Sequence, residues 1–243
     1  MSIRLTLSAI VVAVVSLVVV SPSRADVREL TKKVAGATVH YKVVLPNGYD
    51  AAKVYPAVLV FGGGPQTMNT IDRALESNFR DEAEKRGFIV IGVAAPDGDL
   101  FFEGGDRIFP EFLRQLLADY KIDGGKFNVA GPSNGGIAAM HVAAKFPQYF
   151  VSVTAFPGYL WQPNDAKLQA LAKTCVFLYV GENDEYMWHD EMKREAEYLR
   201  GKGDVARYSV EKGQPHRIAT LTGAGASRLF NDFAEARKGC AAH

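Results

Sequence analysis

Residues 126–146 read KFNVAGPSNGGIAAMHVAAKF, and the fold turns on how this stretch is parsed. Its first five residues form a short apolar run with strand character, and residues 133–146 carry the pattern of a helix. Between them Ser133 stands with Gly131 and Gly135 two residues to either side, in the frame G-x-S-x-G. A serine on a sharp strand-to-helix turn requires such neighbours, because side chains at the flanking positions would strike the adjoining strand and helix backbone. The turn also sets Ser133 at a helix N-terminus, where free N–H groups and the positive end of the helix dipole lie close. The bland alternative is an N-cap serine after a glycine-rich loop.

Outward from this unit, short β-branched runs alternate with longer helical patterns along the chain. Strands are predicted at 37–45, 56–61, 88–94, 126–130, 150–155, 175–180 and 205–211, with an extra edge strand near 27–34. Helices are predicted at about 70–86, 108–121, 133–146, 187–201 and 221–238, with a short one near 165–172. In the first of these, Ile71, Leu75, Phe79 and Ala83 recur every four residues and define one apolar face. The central strands are almost continuously apolar, as expected when helices cover both faces of a parallel sheet. A single doubly wound, mostly parallel α/β domain follows. In such sheets the working crevice lies at the carboxyl ends of the strands, so residues just after a strand are the candidates for chemistry.

A serine hydroxyl is a poor nucleophile without a base. The strand–turn–helix arrangement calls for an acid and then a histidine later in the chain, each in a loop after a strand. Strand 175–180 is followed by GENDEYMWHDEM at 181–192, where Asp184 is the candidate acid and Glu182 and Glu185 are alternatives. Strand 205–211 is followed by KGQPHR at 212–217, which offers His216 as the base. Among the other histidines, His40 falls within a strand, His141 within a helix and His243 at the terminus, while His189 is an alternative base at a helix start. An acyl-transfer site also needs donors for a developing oxyanion, each typically contributing about 3 kcal/mol. The N–H of Asn134 is one, and the glycine-rich loop FGGGPQT at 61–67 is the source of the other. No histidine or cysteine spacing suits a metal, G-K-[ST] is missing after the glycines, and no cofactor is expected.

The N-terminus stands apart from the fold. Arg4 precedes a nearly unbroken apolar run from Leu5 to Val20, and small residues at 23 and 25 precede Asp26. This is the layout of a signal peptide spanning 1–25, which leaves a catalytic domain over 26–243 that is exported to the periplasm or beyond the cell. The leader holds two arginines and no acid. Its removal turns the whole-chain balance of 28 Lys+Arg against 27 Asp+Glu into a net charge of −1. No basic block is interleaved with aromatics, which argues against nucleic acid as a partner, and no second segment is apolar for long enough to cross a membrane. Cys175 and Cys240 admit a disulfide, two free thiols or one reactive thiol. Export favours the disulfide, as does their expected placement at the end of the sheet away from the crevice.

Taken together, these residues resemble the α/β-hydrolase superfamily over essentially the whole of 26–243. The nearer resemblance is to compact secreted esterases of the polyhydroxybutyrate-depolymerase and feruloyl/acetylxylan-esterase type. In those a strand ends in a His-Gly-x loop followed shortly by glutamine. Here 56-PAVLVFGGGPQ-66 fits that frame with Gly62 in the histidine's place, a departure from the pattern. The resemblance implies Gly64 N–H as the second oxyanion donor, Gly63 lying next to it, and hydrolysis of a carboxylic ester, small or polymer-borne, through an acyl-enzyme on Ser133. Members of the superfamily often carry a lid in the 156–174 connection, which is short here and leaves the crevice open. By their places after strand ends Tyr159, Trp161 and Trp188 are candidate substrate contacts, and Phe101, Phe102 and Tyr186 candidate additions to an aromatic wall. Peptidase, lipase or thioesterase chemistry on the same fold, and a non-catalytic binding role, are the competing readings.

Overall fold

A computed structural model describes residues 26–240. The leader reading over 1–25 and His243 lie outside them. Eight strands form one sheet in the order β1-β2-β4-β3-β5-β6-β7-β8. They are β1 Asp26–Val34, β2 Ala37–Leu45, β3 Ala57–Phe61, β4 Ile89–Val93, β5 Phe127–Gly131, β6 Phe150–Ala155, β7 Cys175–Gly181 and β8 Ala206–Glu211. The edge strand near 27–34 is present and pairs antiparallel with β2. A two-residue connection, Ala35 at φ 47° and Gly36 at φ 79°, joins them, the positive-φ geometry whose twist suits a tight hairpin. β2 is antiparallel to β4, and β4 through β8 are mutually parallel.

Alternate residues of the central strands feed two separate cores. Leu59 and Phe61 of β3 join Ile89 and Ile91 of β4 under α3 Phe109–Asp119, α4 Asn134–Lys145, α5 Asp165–Ala170 and α6 His189–Gly201. Val58 and Val60 join Val90 on the other face, under α1 Met68–Ala74, α2 Arg80–Arg86 and α7 Ser227–Ala236. Both faces are therefore covered, which accounts for the nearly unbroken apolar runs. Among the described residues no helix is long and apolar enough to cross a membrane. Cys175, the first residue of β7, is disulfide-bonded to Cys240 after α7, with the Cα atoms 6.0 Å apart.

Two helices differ from expectation. The 70–86 pattern is not one regular helix, because a π-helical turn at Leu75–Phe79 separates α1 from α2. The apolar residues explain it. A spacing of four drifts by about 40° per step around a helix of 3.6 residues per turn. A wider turn takes up part of that drift, and Ile71, Leu75, Phe79 and Ala83 are all buried. The predicted 221–238 helix begins only at Ser227. Gly223 and Gly225 sit in a tighter turn over Gly223–Ala226, and Gly223 has φ 53°.

Candidate active site

Ser133 lies two residues beyond the end of β5, with Pro132 between, and occupies the position before α4 at φ 55° and ψ −127°, a left-handed backbone rare for a residue with a side chain. Its side chain makes no cap hydrogen bond, which sets aside the N-cap alternative. Ser133 Oγ instead lies 2.9 Å from His216 Nε2, and His216 Nδ1 lies 2.9 Å from Asp184 Oδ1. Asp184 and His216 are both buried. An ionised carboxylate can only accept, so Nδ1 carries the imidazole proton and Nε2 is left to accept the serine O–H.

All three acids of the 182–185 loop hold the histidine loop, each at a different point. Asp184 takes the imidazole and also accepts Tyr186 N–H at 3.0 Å. Glu182 accepts Gly213 N–H at 2.7 Å and Glu185 accepts His216 N–H at 3.0 Å. The Glu185 carboxyl is held below its usual range, first by its own backbone N–H and then by that of His216. Gly181 permits the approach, since a Cβ there would meet the backbone of Gln214 and Pro215. His189 is not placed as a base toward Ser133. Its Nε2–H donates to the Gly181 carbonyl at 2.6 Å, tying the start of α6 to the end of β7. His141 donates to Asp106 at 2.7 Å, and His40 is exposed on β2.

The glycine loop is laced to the Ser133 turn. Asn134 Nδ2 donates to the Gly64 carbonyl at 3.0 Å, and Gln66 Nε2 donates to the Asn134 carbonyl at 3.1 Å. Gln66 is fully buried at φ 52°, and its Oε1 accepts Phe101 N–H at 3.0 Å. A Cβ on Gly63 would come within 3.2 Å of the Pro132 carbonyl and 3.5 Å of Ser133 Cβ, so the loop backbone lies directly against the serine. The glycine at 62 has a local cause. A Cβ there would overlap the Thr70 side chain and lie 2.9 Å from its backbone carbon, leaving no room for a histidine.

A cleft of about 720 Å³ opens beside Ser133 and His216, lined by Gly63 and Gly64, by one side of α1 and the π turn, and by the segment after His216. Tyr159, Trp161 and Trp188 are not part of that lining. Trp188 stands edge-on to the His216 ring at 4.8 Å, Tyr159 packs on Trp188 at 5.1 Å, and Trp161 packs on Phe102 at 5.1 Å. Tyr186 is 62% exposed with its ring 4.5 Å from His216. Phe101 is core, packed against Phe61 and Phe109. Among the described residues no cluster of His, Cys, Asp and Glu could hold a metal.

A profile of the family described as "Putative esterase" matches residues 33–232. The chain belongs to this esterase family. It is a carboxylesterase-type hydrolase on the α/β-hydrolase fold. Solved structures share the fold at low identity. The feruloyl esterase module of Clostridium thermocellum, complexed with sinapinate, is 16% identical with a TM-score of 0.67, over 92% of both chains. An S-formylglutathione hydrolase from Agrobacterium tumefaciens is 16% identical with a TM-score of 0.65, over 86% of this chain and 94% of that one. A "putative dipeptidyl aminopeptidase IV" from Bacteroides ovatus is 16% identical with a TM-score of 0.69 over 87% of this chain, which spans only 36% of that larger one.

The sequence reading did not find the structural roles of Gln66, the π turn or the buried Glu195. The glutamine belonged to the motif by resemblance, but nothing in its spacing announced that its side chain bridges two loops. The strict four-residue apolar spacing was the visible trace of the π turn.

Proposed function

We propose that the protein is an exported serine esterase in which Ser133, His216 and Asp184 act as nucleophile, base and orienting acid. The observation that carries this reading is the hydrogen-bonded chain from Ser133 Oγ through His216 to Asp184, both links 2.9 Å, on a turn where Ser133 makes no cap bond. In acylation Ser133 Oγ attacks the ester carbonyl carbon as its proton passes to His216 Nε2, and the carbonyl π pair moves onto oxygen. Asp184 stabilises the imidazolium from the Nδ1 side. The N–H groups of Asn134 and Gly64 receive the oxyanion. Collapse expels the alcohol, which takes the proton from Nε2. Water then attacks the acyl-serine by the same route, its proton moving to His216 and on to the departing Ser133 oxygen.

Trp188, with Tyr159 packed on it, lies against His216 outside the cleft lining, where a substrate reaching past the cleft would meet it, whereas Trp161 packs on Phe102. Trp188 has a second part in this reading, since its edge packs on the imidazole and restrains the ring. Export is supported by the leader pattern and by the Cys175–Cys240 disulfide, because such bonds persist in oxidising compartments.

A fluorophosphonate probe on the mature protein, with the adduct mapped by mass spectrometry, tests the assignment. Labelling at Ser133 that vanishes in His216→Ala is expected, together with loss of p-nitrophenyl acetate turnover in Ser133→Ala at an unchanged unfolding midpoint. Undiminished turnover in Ser133→Ala refutes the nucleophile. A peptide anilide assayed alongside separates ester from amide cleavage.

A further inference from the structure

The cleft beside Ser133 has two walls. One is a single helical face built from Thr70, Arg73, Ala74 and Ser77, at spacings of three and four. The other is the chain that follows His216, beginning with Arg217. The π turn adds Asn78, which is buried and donates Nδ2–H to the Leu221 carbonyl at 2.8 Å, bonding the walls to each other. Each wall thus contributes one arginine to the lining of the cleft.

The carboxylates around these two arginines are engaged elsewhere. Asp72 is held by Lys42 at 2.5 Å, and Glu76, in the cleft lining, by Arg80 at 3.8 Å. Glu211 is held by Arg228 at 2.7 Å, and Glu185 accepts the His216 N–H. Arg73 and Arg217 themselves form no hydrogen bond or ion pair among the described residues. Idle arginines scattered over a surface mean little. Here two arginines from separate elements line the cavity beside Ser133, and neither is ion-paired among the described residues. Guanidinium groups present planar donor forks suited to carboxylate and related anions.

We propose that the cleft selects esters that carry a carboxylate or similar anion on the portion occupying it, with Arg73 and Arg217 as the specificity-determining cations. The inference rests on the ester-hydrolase reading and narrows its substrate class. Both guanidiniums are solvent-accessible, so the selectivity is modest and falls as ionic strength rises.

The test compares kcat/KM for two matched pairs of esters. p-Nitrophenyl valerate against mono-p-nitrophenyl glutarate places the charge on the acyl side, and phenyl acetate against 4-acetoxybenzoate places it on the alcohol side. Each pair is measured with the mature protein and with an Arg73→Gln, Arg217→Gln double variant whose unfolding midpoint is checked. In one pair the ratio of anionic to neutral kcat/KM is expected to fall about tenfold in the variant, and to fall in the parent as salt is added. The ratio cancels any general effect of Arg217 on its neighbour His216. Neutral-ester turnover with ratios that the substitutions leave unmoved in both pairs overturns this inference alone. Turnover of no ester at all overturns the ester reading and this inference with it.

Discussion

Glu195 is a carboxyl in the wrong surroundings, and replacing it with glutamine gives a measurement whose sign and size follow from the structure. It lies on α6 only 3% exposed, with Oε1 accepting Leu160 N–H at 2.9 Å and Oε2 without a partner among the described residues. Burial pushes its pKa up from 4.5 to about 8, against the Leu160 N–H, which favours the ionised form. Between those values the folded protein holds a proton that the unfolded chain has already released. The stability that Glu195 contributes is therefore full below pH 4.5 and declines by about 1.4 kcal/mol per pH unit until the folded pKa is passed. At neutral pH the loss is on the order of 3 kcal/mol. Glu195→Gln keeps the acceptor for Leu160 and removes the titration. The variant should match the parent near pH 4 and exceed it progressively toward pH 8. Urea unfolding at a series of pH values reads the difference directly, provided the m-value is unchanged. Asp232, pushed up to about 6 mainly by burial, titrates in both proteins and drops out of the comparison. Parallel stability curves for the two proteins would refute the reasoning.

Gln66→Met keeps a similar volume but loses both the donor to the Asn134 carbonyl and the acceptor for Phe101 N–H. kcat should fall about ten- to a hundredfold as the oxyanion donors shift, with KM little changed; a kcat within about twofold of the parent would remove Gln66 from the positioning of that loop. The Cys175–Cys240 disulfide has a sequence separation of 65, so its reduction should lower stability by about 4 kcal/mol in the chain-entropy picture. Ester turnover should persist while the reduced protein stays folded, because the bond lies at the start of β7 rather than at its carboxyl end; an unfolding midpoint indifferent to reductant would contradict the first expectation.

The sheet was legible because β3 through β7 are buried on both faces and must be apolar throughout, which leaves each strand bounded by polar punctuation. The same logic singled out Ser133, Asp184 and His216 as candidates, since each lies in a short loop after a strand, although Glu182 and Glu185 competed with Asp184. What stayed hidden depends on side chains meeting across long sequence distances. The aromatic residues at 159, 161 and 188 could be read as aromatic, but not that Trp161 would pack on Phe102 and Trp188 on His216. The cleft opened toward α1 and the π turn instead, through a backbone irregularity of which only the fourfold apolar spacing gave a sign. Gly62 is the opposite case: a departure in sequence that Thr70 explains in space.

In the proposed mechanism the geometry of the serine turn makes the nucleophile and the oxyanion donors hard to vary separately. The left-handed backbone at Ser133 costs on the order of 1–3 kcal/mol and persists only where surrounding structure over-determines it. Gly135 N–H bonds the Pro132 carbonyl at 2.8 Å, and Ile137 N–H bonds the Ser133 carbonyl at 3.0 Å, closing the turn from both sides. A Cβ on Gly131 would strike the backbone of Gly135 and Phe61, and a Cβ on Gly135 would strike Phe61 and Gly62. Three backbones therefore meet without side chains between them: the end of β3, the end of β5 and the first turn of α4. The end of β3 runs directly into the loop that carries Gly63, Gly64 and Gln66. The contact that holds Ser133 in its strained conformation is thus also the contact that sets the height of the oxyanion loop above it. Any substitution that relaxes the serine must move the glycine loop too, so under the proposed mechanism the flanking glycines answer to the reaction as much as to the turn.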